Sequence, residues 1–407
     1  MFVALMCHAP IVVPAVGGAR SALCLATTRA MREVALRAAG QLPERVVLLS
    51  PHSPRQRRQF AAWPGRHLGD LGDFQAPEVR VDLPDAPEVA TSLGLGPVEG
   101  RRLDHGAMVP LSFLWEAGWR GPTAILALPW DEVDSDALGR GLAALPGHTV
   151  VIASGDMSHR LQPGAPAGFH PNAHRFDDAF VEALRRDDWA AALGAEARAL
   201  AAEDVVQSTR VAMVAAGAPM WSEVLSYEAP FGVGYTEAIL RDPAPPLYAI
   251  ARYVATRYLH GFPIPGRLGG PPSQGVFVTL RRRGELRGCI GHVEARHASL
   301  WDEVADVTLA AIRDPRFPPL SAPELTEIDW EVSLLDPPQR IAGTRDLDPH
   351  RYGVIVSLGS RRGLLLPGIA GIDDPHQQVA LARRKAGIAP RGAVNLERFT
   401  VTKVAQP

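Results

Sequence analysis

Four short runs most constrain the fold: Phe2–Met6, Arg45–Ser50, Thr123–Leu128 and Thr149–Ala153 are nearly continuous in apolar residues. A strand with one wet face alternates apolar and polar side chains, so runs like these fit strands covered on both faces. Helix-length stretches lie between and after them, for example Ser21–Ala39 and Asn172–Leu184. The alternation predicts an α/β domain with a mostly parallel central sheet flanked by helices. Downstream, Trp189–Ala202 and Glu203–Ala215 read as two more helices, and SYEAPFGVGYTEAILRD as two strands around a turn that close the sheet.

The segment RDPAPPLY then places three prolines in eight residues, the composition of a semi-rigid linker. Beyond it Leu247, Ile250, Ala251, Val254 and Tyr258 recur at the spacing of one helix face. A boundary after Asp242 gives units of residues 1–242 and 243–407, as a 407-residue chain at about 150 residues per domain suggests. The second and smaller unit has strand patterns at Gly275–Leu280, Asp329–Leu335, Gly353–Ser357 and Arg362–Leu366 and a helix at Leu300–Arg313. That mixed order predicts an α+β fold.

Charge narrows the partners. A formal net charge of −2, with basic residues spread along the chain, gathers no field for a polyanion, so nucleic acid is not an expected partner. No run reaches the roughly 18 apolar residues of a membrane span. Three cysteines, Cys7, Cys24 and Cys289, form no paired framework, and the expected compartment is the reducing cytoplasm.

Eight of the 13 histidines precede the boundary, and His8, His52 and His159 each follow directly on a strand-like run. Ligand sites of open α/β sheets lie outside the carboxyl ends of the strands, so these imidazoles can converge from distant points of the chain. Neutral imidazole suits iron, zinc and copper, and two histidines with one carboxylate are a ferrous-iron set that leaves positions open. Cys7, beside His8 in extended backbone, should point to the opposite face.

The ordered segments MCHAPIVVPAVGG, LLSPHSPR, LDHGAMVPLSFL and ASGDMSHRL resemble the catalytic subunit of class III extradiol ring-cleavage dioxygenases and the related Memo proteins. The resemblance implies an Fe(II) site at His8 and His52, with zinc or copper as alternatives. It implies an acid/base role for His159, and an assisting or substrate-contacting role for His105 with Asp104 beside it. The third ligand in the dioxygenases is a glutamate late in the domain, which matches Glu228, with Glu237 as competitor. Memo proteins have a cysteine at the corresponding point, and this chain has none there. The implied substrates are an aromatic diol and O2, with Arg55 as a candidate contact for an anionic group. Since the family includes dimers, a homo-oligomer is a further expectation. The second implied role is a Memo-like metal-binding assembly protein without ring cleavage.

In the second unit, LRGCIG at Leu286–Gly291, the DPRFPPL segment from Asp314 and the EIDWEVSLL strand resemble the AMMECR family. That family occurs with Memo-like domains and a radical SAM protein in bacterial gene sets, so the resemblance implies such a partner. From the residues alone, Cys289 sits between Gly288 and Gly291 with Arg287 and His292 near in sequence. This is either a thiol made nucleophilic by a cation or a small buried hydrophobe packed closely by glycines.

Overall fold

The computed structural model describes every residue except Arg101, Glu132 and Ala370. The chain forms two compact units, Met1–Pro245 and Pro246–Pro407.

The strands of the first unit, in chain order, are β1 (Phe2–Met6), β2 (Arg45–Ser50), β3 (Ala61–Ala62), β4 (His67–Leu71), β5 (Ala76–Leu83), β6 (Gly96–Pro97), β7 (Thr123–Ala127), β8 (Thr149–Ser154), β9 (Glu223–Glu228) and β10 (Tyr235–Arg241). Eight of them form one sheet in the order β6-β3-β7-β2-β8-β1-β10-β9, and β4 and β5 pair separately. The four central strands β7, β2, β8 and β1 run parallel, while β3 on one side and the β10–β9 hairpin on the other run antiparallel to their inner neighbours. Every residue of β1, β2, β7 and β8 is buried. Alternate residues explain why: Phe2, Ala4 and Met6 join a core with the Leu25–Gly40 and His105–Glu116 helices, while Val3 and Leu5 join another with the His174–Arg185 and Val205–Ala216 helices.

Several expected elements differ in detail. The expected Ser21–Ala39 helix begins at Leu25, after a short Pro14–Gly17 helix and a 3₁₀ segment over Gly18–Cys24. The expected Trp189–Ala202 helix is two pieces, Trp189–Leu193 and Arg198–Ala201, because the backbone turns left-handed at Ala197 and Ala202. The His105–Glu116 helix, which carries Pro110 inside it, was not expected from sequence.

The second unit holds β11 (Gly275–Arg282), β12 (Glu285–His292), β13 (Ile328–Leu335), β14 (Gln339–Ile341), β15 (Gly353–Leu358), β16 (Arg361–Leu365), β17 (Asn395–Phe399) and β18 (Val401–Ala405). They make two antiparallel four-stranded sheets, β12-β11-β13-β18 and β14-β17-β15-β16. Helices Leu247–Leu259 and Leu300–Ala311 pack on the first sheet, and Pro375–Lys385 on the second. This is the expected α+β composition.

Candidate metal centre

Parallel strands end on the same edge of a sheet, and the loops leaving β1, β2 and β8 carry His8, His52 and the segment Gly155-Asp156-Met157-Ser158-His159. A fourth imidazole, His105, opens the helix that follows Asp104. His8, His52 and His105 converge: among the described residues they form the group whose ligand atoms all lie within 4.8 Å of one another. The Nε2 atoms of His8 and His52 are 3.0 Å apart, and the His105 ring lies 5.4 Å from that of His8 and 4.3 Å from that of His52. The His8 side chain is 1% exposed and that of His52 is 36% exposed, so the group is reached from solvent on the His52 side.

Outer hydrogen bonds set the orientation of His8. The Ser154 hydroxyl donates to the Gly106 carbonyl at 2.7 Å and lies 3.0 Å from His8 Nδ1. With its proton committed to the carbonyl, that hydroxyl accepts from Nδ1–H, which turns Nε2 toward the cluster, the usual way an imidazole ligand is fixed. His8 N–H donates to Asp156 at 2.9 Å.

Two carboxylates face these rings. Asp204 Oδ2 lies 3.1 Å from His52 Nε2 and 3.4 Å from His8 Nε2, and Asp156 Oδ2 lies 3.7 Å from His8 Nε2. Asp204 Oδ1 accepts the Asp156 N–H at 2.7 Å, and the Asp204 N–H donates to the Asp156 carbonyl at 3.2 Å. Gly155 permits this approach, because a Cβ there would stand 2.5 Å from Val205 Cα.

The electrostatics follow from this packing. Burial alone would lower the His8 pKa, but Asp156 and Asp204 outweigh it and raise it to about 9. Burial and the neighbouring charges of His8 and His52 push His105 down to about 4, so it is a neutral imidazole, the form that binds metals. Burial acts to raise Asp204, yet His8 and His52 hold it well below the usual carboxylate range, whereas burial prevails at Asp156 and raises it. A field that favours the His8 cation is one that suits a divalent ion at the same point.

The remaining expected residues divide. His159 stands within the field of Asp156 and Asp204, and its buried Nδ1 has no hydrogen-bond partner among the described residues. The Asp104 carboxylate accepts from Ser50 Oγ at 2.7 Å, Ser53 Oγ at 2.6 Å and Ala107 N at 3.0 Å, which fixes the start of the His105 helix. Arg55 is occupied by the Leu128 and Pro129 carbonyls and by Gln207 Oε1, and its guanidinium lies over the Trp130 ring.

Glu228 is not brought to the cluster. It ends β9, two strands out from β1 and so about 10 Å away in the sheet, and its carboxylate accepts from the N–H and hydroxyl of Thr27 at 2.8 and 2.7 Å. Glu237, on β10, is fully buried, with its carboxyl held by Ser226 and Cys7, and burial pushes its pKa up to about 8. Cys7, just past the end of β1, is fully buried in the same core as Phe2, Ala4 and Met6. The carboxylate inside the cluster is that of Asp204, which sequence reading missed. Its only signal is an aspartate directly before the Val205–Ala216 helix.

The second-unit motif is spread over two faces of β12, since side chains alternate along a strand. Arg287 donates to Glu324 from Nε and Nη2, at 3.0 and 3.2 Å. His292 Nδ1 lies 2.6 Å from the buried Glu303, which also accepts from the N–H groups of Arg296 and His297. Neither therefore serves the Cys289 thiol, whose neighbour is Thr279 Oγ1 at 3.4 Å. Gly288 and Gly291 are required by packing, because a Cβ would meet the Ala311 carbonyl at 2.6 Å or the Phe277 ring at 2.2 Å. No helix among the described residues is long and apolar enough to cross a membrane.

The family described as the catalytic LigB subunit of aromatic ring-opening dioxygenase matches residues 2–236, and the family described as AMMECR1 matches residues 237–404. A Clostridium acetobutylicum protein is 29% identical over 461 aligned positions, covering 98% of each chain. A Thermotoga maritima protein is 46% identical over 132 positions, covering 32% of this chain and 76% of its own. A solved Pyrococcus horikoshii structure is 31% identical, covers 39% of this chain and 88% of that one, and aligns with a TM-score of 0.35.

Proposed function

From a chain that belongs to the family of the catalytic LigB subunit of aromatic ring-opening dioxygenase over residues 2–236, and whose His8, His52 and His105 converge on one point, we propose an Fe(II)-dependent ring-cleavage dioxygenase. Its substrate is a catechol or related oxidisable small molecule, and O2 is the second reactant. The convergence of three imidazoles beside ionised carboxylate is the observation that carries this reading. The donors fit the ion: His105 is neutral and His8 has its Nδ1 side fixed by Ser154. Bound ferrous iron supplies a centre where an electron-rich diol and O2 meet. His159 acts beside it as the acid/base group, its unpartnered Nδ1 taking a proton from one substrate hydroxyl.

The test is metal content of anaerobically purified protein, with oxygen uptake on added diols. His8→Ala and His52→Ala should lose metal and uptake together. His159→Ala should keep metal and lose uptake by about 10²–10⁴-fold, the contribution of a general acid/base group. An iron-loaded His159→Ala with wild-type uptake would remove His159 from the mechanism. A second reading, metal-binding assembly in a radical SAM-associated pathway, rests on the AMMECR1-family unit fused to the first. Bound metal without uptake on any diol selects that reading, and wild-type protein that binds no metal overturns both.

A further inference from the structure

Donor atoms about 2.1 Å from one divalent ion, the Zn–N and Zn–O range, stand roughly 3.0 Å apart at right angles and about 3.4 Å apart at tetrahedral angles. Three atoms of this cluster already have that spacing. His8 Nε2 to His52 Nε2 is 3.0 Å, His52 Nε2 to Asp204 Oδ2 is 3.1 Å, and His8 Nε2 to Asp204 Oδ2 is 3.4 Å. The orientation of the carboxylate is fixed: Oδ1 is held by the Asp156 N–H, so Oδ2 is the oxygen that faces the imidazoles. Glu228 is bound to Thr27, and Glu237 is buried against Cys7 and Ser226.

We infer that Asp204 is the carboxylate ligand of the metal, completing with His8 and His52 a two-histidine, one-carboxylate face with His105 alongside. The inference rests on the metal-binding reading above. It assigns the anionic ligand to the loop before the Val205–Ala216 helix rather than to the β9–β10 hairpin. The competing role is that of an outer partner that only orients His52 by a hydrogen bond. Magnitude separates the two, because losing an outer partner costs about 10–100-fold in metal affinity.

The experiment is Co(II) titration of the full chain against a competing chelator, with the visible absorption of the bound ion as a second readout. Asp204→Asn keeps an acceptor for the Asp156 N–H. It should bind Co(II) at least about 100-fold more weakly and with an altered spectrum, while Glu228→Gln should stay within about threefold of wild type. Asp204→Asn that binds within about tenfold of wild type with an unchanged spectrum would overturn the inference, and so would a large loss in Glu228→Gln with none in Asp204→Asn. If circular dichroism shows that the Asn variant does not fold, Asp204→Glu decides. A changed Co(II) spectrum then supports ligation, and an unchanged one overturns it. Failure of the wild-type chain to bind Co(II) or Fe(II) is a different outcome, and it overturns the metal reading itself.

Discussion

Glu237 shows how one residue's surroundings set a property of the whole fold. Buried with no exposure, it carries a proton up to about pH 8, against 4.5 for the ordinary side chain. The folded state therefore binds more protons than the unfolded chain between those values, and stability must fall as pH rises through that window. The effect is on the order of a few kcal/mol at about 1.4 kcal/mol per unit. Denaturant unfolding at pH 5 and pH 8 should show the wild type losing stability, and Glu237→Gln, neutral throughout, should have a flatter profile. An identical slope in both would assign the loss to other groups. At this scale the sequence was legible where a residue follows a recognisable strand: His8, His52 and His159 sit where their runs end. Asp204 was not legible, because nothing in AAEDVVQ distinguishes it from other helix-start aspartates, and its role comes from the approach that Gly155 allows. The place of Glu228 was not legible either, because sequence gives no strand order and β9 is the outermost strand.

Among elements, the decisive contact is that between the end of β8 and the start of the Val205–Ala216 helix. Gly155→Ala places a methyl 2.5 Å from the Val205 Cα and 3.0 Å from its Cβ, so the two backbones must separate. Overpacking of this kind costs about 1–3 kcal/mol. The variant should melt lower and also bind Co(II) more weakly, since Asp204 moves with the helix start. Lowered melting with unchanged Co(II) affinity would show that helix and ligand move independently. The central strands were legible because both of their faces are covered, whereas the His105–Glu116 helix was hidden by Pro110. The break after Trp189 was hidden because it lies at Ala197, a residue that normally favours helix.

At the scale of the whole molecule, the family matches divide at residues 236 and 237, inside β10, while the compact units divide at Pro245. The difference matters physically. β10 is the antiparallel neighbour of β1, and Asp242 just beyond it receives the buried Arg37 guanidinium at 2.6 and 2.9 Å. Removing one partner of a buried ion pair costs about 3–5 kcal/mol. A fragment of residues 1–245 should give a cooperative thermal transition and bind Co(II), and one of residues 1–236 should do neither. A folded 1–236 fragment would show that the hairpin and Asp242 are dispensable.

The position of β1 in the sheet has a consequence in time. It is synthesised before both of its neighbours, all of its residues are buried in the finished fold, and those neighbours are β8, whose Val150 pairs with Phe2, and the still later β10. At about 5–20 residues per second, a nascent chain keeps this apolar segment unpaired for roughly 7 to 30 s before β8 has even been made. During that interval Phe2–Met6 is an apolar segment open to any free strand edge, so the growing chain is expected to be a chaperone client, with β1 as the captured segment.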